Sequence, residues 1–253
     1  INPMDQVQKN KILGEARFLR AWSYFYLVRL YGDVPLITAP QTATSENFLP
    51  ARTPQEQVYK QIVDDLVAAE ASGLGWTDGS GRVTMGAVKS LLAKVHLTMA
   101  GFPLNKGAAS YKLAADKANE VIKNGSFSLF ANYSDLHSLA QENKGENIFS
   151  IQYLANVSGN PMQQLLLPNF KNVSAYGDEI GSTVPTSQFY ASYEAGDKRA
   201  VDREGFFYTS YYDGGNGALK PLGAPYIFKH FDEVANGKSG SLGTTRSDLN
   251  WPL

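Results

Sequence analysis

Cysteine is absent from the 253 residues. Without a thiol there is no disulfide, no thiolate nucleophile and no cysteine-ligated metal, and the redox compartment leaves no trace in the chain. Histidine occurs only as His96, His137 and His230, none with a second histidine or a carboxylate at ligand spacing on an evident helix face, so no metal is expected. Neither sign of charge dominates. With 23 basic and 24 acidic residues the net charge is −1, which removes long-range attraction to nucleic acid or to an anionic membrane as the main job. Long apolar runs are missing too: Phe25-Tyr26-Leu27-Val28 meets Arg29, far short of the roughly 18 residues a membrane span needs. No G-x-S-x-G, H-E-x-x-H or G-x-G-x-x-G pattern occurs. Gly237-Lys238-Ser239 ends like a phosphate loop, but Asp232 stands where that loop needs a glycine, and its charge repels phosphate. The start, Ile1-Asn2-Pro3, has no initiator methionine, basic n-region or apolar h-region; it reads as a processed or truncated start with no signal peptide.

What is present is a globular composition. Apolar residues at 43% suffice for a sizeable core. Aromatics are abundant, with 14 Tyr, 13 Phe and 3 Trp, and serve packing and recognition alike. Asp5 to Leu30 is predicted as one helix whose stripe is Ile12, Ala16, Leu19, Ser23, Tyr26 and Leu30, closed by Gly32 and Pro35. A second helix begins at Thr53-Pro54, with Glu56 expected to complete a capping box, and places Val58, Ile62, Leu66 and Ala69 on one face. Thr84 is the expected cap of a third, with Val88, Leu91, Leu92 and Val95 inward, and Tyr111 to Lys123 makes a fourth, stopped by Asn124-Gly125. Trp22 and Leu92 are expected to be mostly buried. The last two helices form an antiparallel pair like a tetratricopeptide repeat, stretched by the loop at 101–110.

After residue 125 periodicity fades. Asn147–Leu154, Gly205–Tyr212 and Ala224–Phe231 read as strands, Pro185-Thr186 opens a short helix to about Glu194, and Asp213–Gly217 is a loop. Two domains follow: a helical tetratricopeptide-like part at 1–125, and a loop-rich part at 126–253 packed on it. The adjacent acids Asp64-Asp65, Asp178-Glu179 and Asp232-Glu233 read as solvated side chains rather than an acid–base pair. The cluster Glu15, Arg17 and Arg20 among large apolar residues reads as structural ion pairing rather than an anion site.

Two runs carry a resemblance: Gly14-Glu15-Ala16-Arg17-Phe18-Leu19-Arg20-Ala21-Trp22-Ser23-Tyr24-Phe25, then Leu30-Tyr31-Gly32-Asp33-Val34-Pro35-Leu36. Ile62-Val63-Asp64-Asp65-Leu66, Gly81-Arg82-Val83-Thr84, Glu146-Asn147-Ile148-Phe149, and Tyr193-Glu194-Ala195-Gly196-Asp197-Lys198-Arg199 extend it. With these the chain resembles the SusD/RagB family of Bacteroidetes surface nutrient-binding lipoproteins, truncated at both ends. The resemblance implies a mainly α fold of tetratricopeptide-like helix pairs with a loop-rich second half carrying short strands. It implies a glycan-binding protein on the extracellular face of the outer membrane, without catalysis or cofactor, that delivers oligosaccharides to a SusC-like TonB-dependent transporter. The membrane would be met only through a lipid anchor absent from this chain. The alternatives are peptide capture, as in the RagB branch, or a glycan-processing enzyme. The family has no universal binding motif, so the candidate ligand residues come from the chain itself: aromatics in loops, where packing does not commit them. They are Trp76, Tyr176, Tyr211 and Tyr212, with Asp213 and Asn216 offering hydrogen bonds to hydroxyls.

Overall fold

The structure is a computed structural model that describes residues 4–42, 48–154, 157–170, 173, 181–229, 231, 233, 236–242 and 251–252, with 137, 163, 164, 251 and 252 described by backbone alone. It is mainly helical, with short antiparallel strand pairs in the second half. The chain divides into two units, Ile1–Phe127 and Ser128–Leu253.

The first unit holds α1 (Gln6–Tyr31), α2 (Gln55–Glu70), α3 (Met85–Ala100) and α4 (Ala108–Asn124). Asp5 caps α1 by accepting the Gln8 N–H, and Thr84 caps α3 by accepting the Ala87 N–H at 3.1 Å. The helices run antiparallel to their neighbours, as the contacts show. Gly14 of α1 faces Ser72 just beyond α2, and Arg20 meets Asp65. Glu70 meets Lys89 of α3, and Lys89 meets Glu120 of α4. At Gly14 a Cβ would lie 2.0 Å from Ser72 Oγ, so only glycine lets the α1 and α2 backbones approach this closely. The core between them is Phe18, Ala21, Phe25 and Val28 from α1 with Val58, Tyr59, Ile62 and Leu66 from α2. Val88, Leu91, Leu92 and Val95 supply α3, as their spacing predicts.

Two expectations change here. The stripe expected to be buried on α1 is its outer face: Ile12, Leu19, Tyr26 and Leu30 are exposed, Leu30 at 71%. The buried set is Gly14, Phe18, Ala21, Tyr24, Phe25 and Val28. Apolar residues line both sides of this helix, so periodicity alone selects no face. Trp22 is mostly covered, as expected, without being fully buried, and its ring lies edge-to-face on Tyr26 at 5.0 Å. Finally, no capping box forms at α2. Pro54 is the N-cap residue and has no side-chain bond, while Thr53 gives its N–H to Val34 O at 2.9 Å. Asp33 caps α2 from the far side of a loop, accepting the Gln55 N–H at 2.8 Å, and Arg52 donates to the carbonyls of Tyr31 and Asp33. The Tyr31–Val34 segment is thus a clasp that joins the end of α1 to the start of α2.

The second unit contains β1 (Ser150–Ile151), α5 (Met162–Leu166), α6 (Ser187–Ala191), β2 (Phe207–Tyr212), β3 (Leu219–Ile227) and β4 (Trp251–Pro252). Only two residues of the expected strand at 147–154 are strand, and they pair with β4. Residues 162–166 are helical where no periodicity announced a helix, and β3 starts five residues before Ala224. Between the pairs Tyr208–Tyr226 and Ser210–Pro221 the hairpin register breaks. That irregularity disturbs the two-residue alternation, so Tyr208 and Tyr211, three apart, both pack on one cluster of Leu167, Val173, Leu222 and Phe231.

Candidate functional site

The residues singled out from the sequence do not gather in one place. Trp76 lies in the connection between α2 and α3 and is half-buried. Its neighbour Gly75 accepts the Met85 N–H at 2.7 Å, and its ring stands 5.8 Å from Lys89 Nζ. That ammonium is already shared by Glu70 and Glu120, which with Lys117 form a charged network across three helices. Burial works against ionisation of Glu70, but Lys117 and Lys89 outweigh it and hold the carboxyl below its usual range. Next to this connection a cleft of about 450 Å³ runs between the first turns of α1 and residues 74–84. Its floor is Ile12, Leu74 and Val83. Its charged rim is largely self-satisfied, because Arg82 grips Glu15 and Asp78 accepts from Ser80. Arg20 is likewise paired to Asp65, as the structural reading of the Glu15–Arg20 cluster expects.

The hairpin in the second unit carries the other candidates. Tyr211 is half-buried, and its ring lies 6.1 Å from Phe170, whose own ring lies 6.5 Å from Tyr226. Tyr212 points elsewhere, under the guanidinium of Arg203 at 4.7 Å and near Lys238 at 5.9 Å. Cations therefore hold that ring. Asp213 is only 5% exposed, and it organises the turn: one oxygen accepts the Gly215 N–H at 2.8 Å and the other pairs with Lys220. Asn216 accepts the Ala218 N–H at 2.9 Å. Both side chains turn oxygens toward their own loop, which makes it a preorganised turn. Tyr176 lies outside the described residues.

A second cleft, of about 410 Å³, was not foreseen. It lies beyond the C-terminal end of α6 and is lined by Phe189, Ser192, Tyr193, Glu194, Asp197 and Arg199. Thr186 caps α6, and the spacing of four brings Phe189 and Tyr193 edge-to-face at 5.6 Å. Asp197 accepts the Arg199 N–H at 2.9 Å and is gripped by the Arg199 guanidinium, which lowers its pKa to about 2. The sequence signal was there, a capped helix start with two aromatics four apart. It was masked by the absence of any recognised chemical motif. Among the described residues no three of His, Cys, Asp and Glu come together as a metal cluster, and no helix is long and apolar enough to cross a membrane.

Comparison with known proteins agrees with this architecture. Residues 2–97 match a SusD-like family model described as "Starch-binding associating with outer membrane". The chain is 32% identical over 155 residues to a SusD-like protein of Bacteroides ovatus, covering 60% of this chain and 28% of that protein. A SusD superfamily protein of Parabacteroides distasonis superposes over 100% of this chain and 54% of its own, with a TM-score of 0.88 and 39% identity. A further structure, solved with a xylogluco-oligosaccharide, matches 98% of this chain and 52% of its own, with a TM-score of 0.76 and 27% identity. Along its length the chain is similar to SusD-like proteins. It spans about half or less of the length of these relatives.

Proposed function

We propose that this protein captures oligosaccharides at the outer face of the outer membrane and passes them to a SusC-like TonB-dependent transporter, without chemistry of its own. The observation that carries the proposal is the likeness over 98% of the chain to a structure solved with a xylogluco-oligosaccharide. The description of the family matched by residues 2–97 supports both starch-type ligands and the outer-membrane location. The chemistry is compatible. Tyr211, Phe170 and Tyr226 form a group of aromatic edges and faces on the hairpin side of the second unit, and Trp76 offers a further ring in the first. Pyranose rings present apolar C–H faces to such surfaces and hydroxyls at their edges.

Calorimetric titration with maltohexaose and a xylogluco-oligosaccharide tests the proposal. Saturable binding is expected, with no product released on long incubation. Trp76→Ala, Tyr176→Ala, Tyr211→Ala and Tyr212→Ala are each measured, and loss of one stacking ring should weaken binding about fivefold. If all four bind as the parent does, these rings are not the platform. Co-purification with a SusC-like transporter encoded nearby tests delivery.

A further inference from the structure

We propose that the cleft beyond α6 is a subsite for one neutral hexose unit of the glycan, a proposal that rests on the glycan-binding reading above. The Asp197–Arg199 pair by itself would be explained by the local turn, since Asp197 also takes the Arg199 N–H. The turn does not explain what surrounds it. Phe189 lines the cleft and is 53% exposed as a residue, with its ring braced by Tyr193 at 5.6 Å and Phe207 at 6.1 Å. The Arg199 guanidinium is fixed in two ways. Its Nε and Nη2 go to Asp197, and its plane lies 5.2 Å from the Tyr193 ring. Its Nη1 has no hydrogen-bond partner among the described residues, nor does the Glu194 carboxylate, and both residues line the cleft. Ser192 Oγ donates to Phe189 O at 2.7 Å and keeps its lone pairs for an incoming donor.

These parts match the surface of a pyranose. The exposed Phe189 face takes the C–H side of the ring. One hydroxyl accepts from Arg199 Nη1, and a neighbouring hydroxyl donates to Glu194. The donor is preorganised by Asp197, so little entropy is lost in ordering it when the sugar binds. A volume of about 410 Å³ admits a sugar unit and leaves the rest of a chain in solvent. Charge selects the class. Asp197 and Arg199 cancel, and Glu194 leaves the lining negative, so a uronate or sulfated sugar is repelled and a neutral hexose is not.

The lack of native cysteine makes a direct test simple. Ala195→Cys, labelled with an environment-sensitive dye, reports on this cleft alone. The dye should respond saturably to maltohexaose or to a xylogluco-oligosaccharide, and an oligogalacturonate should leave it unchanged. In calorimetry Phe189→Ala should weaken binding about fivefold or more and Glu194→Gln by a smaller factor. Phe189→Leu, which keeps apolar bulk but removes the ring, guards against a folding defect and should weaken binding likewise. If the parent binds an oligosaccharide by calorimetry while the dye stays silent, or if all three variants bind as the parent does, the subsite is overturned and glycan binding stands. A dye response to oligogalacturonate as strong as to the neutral sugars overturns the choice of class. If the parent binds none of the neutral oligosaccharides, glycan binding falls and the subsite falls with it.

Discussion

The two units are held together by different kinds of contact. In Ile1–Phe127 each helix packs against the next in sequence; Arg20–Asp65, Glu70–Lys89 and Lys89–Glu120 follow that order, and Lys117 of α4 reaches back to Glu70 of α2. In Ser128–Leu253 the elements are short. Ser150 pairs with Pro252, Arg203 with Glu233, and the core is a set of rings around Tyr208, which stacks on Phe231 at 4.6 Å. The helical unit packs along regular stripes but leaves a second apolar stripe of α1, Leu30 and Tyr31 included, exposed. The second unit places its aromatics on short, irregular segments, where Phe170 and Phe189 stay partly exposed.

The comparison is broken most directly in the helical core. Phe25→Ala should cost ~3–5 kcal/mol in chemical denaturation, because a fully packed ring is lost. Trp22→Ala should cost less, about 2 kcal/mol, because that ring is not fully buried. Equal losses would mean that Trp22 is fully covered in the folded protein.

Next comes the ion pair that ties α1 to α2. Asp65 is 3% exposed, so Arg20→Ala leaves a buried carboxylate without its partner and should destabilise by about 3 kcal/mol. The double variant Arg20→Ala with Asp65→Asn should recover part of that loss, and no recovery would show that the charge is not what matters.

In the second unit the sign should reverse. The Tyr208 hydroxyl is buried with no partner among the described residues, and burial raises its pKa strongly. Tyr208→Phe should therefore be neutral or stabilising by up to about 1 kcal/mol in thermal unfolding. A clear loss would mean that the hydroxyl has a partner.

The smallest effect concerns pH. Burial, and then the charge of Lys117, lower the pKa of His96 below its ordinary value of 6.5. On acidification the unfolded chain takes up that proton before the folded chain does. The contribution of His96 is therefore complete above about pH 6.5 and declines as the pH falls through the range below it. His96→Gln should flatten the melting temperature between pH 7 and pH 5, and an unchanged slope would assign it to other groups.

The legible parts of the fold are those fixed by neighbours in sequence. Thr84 capping α3, Gly125 in a left-handed turn after α4, and the stripe of α3 are local matters of backbone geometry and period. The face of α1 was not legible, because Ile12, Leu19, Tyr26 and Leu30 make as good a stripe as Phe18, Ala21, Phe25 and Val28. Only the approach of Gly14 to Ser72 and the pull of Asp65 on Arg20 choose between them. The cap of α2 was misplaced for the same reason, since Asp33 reaches it across 22 residues. Among the candidate ligand residues, the sequence identified a glycine-rich loop with aromatics before it. It had no means to show that Asp213 and Asn216 serve the turn itself, or that Arg203 and Lys238 sit against Tyr212.

By itself the sequence determined helix positions, turn positions, the absence of thiol chemistry and a family resemblance that the comparisons uphold. Those follow from short-range sterics, hydrogen-bond capping and the identity of long motifs. The tertiary structure alone decided which apolar face is core, which cation quiets which carboxylate, and which rings and polar groups remain free around a cleft. Those outcomes depend on contacts between residues tens of positions apart, where competing partners of equal local merit are separated only by whether the packed chain brings them within a few ångströms.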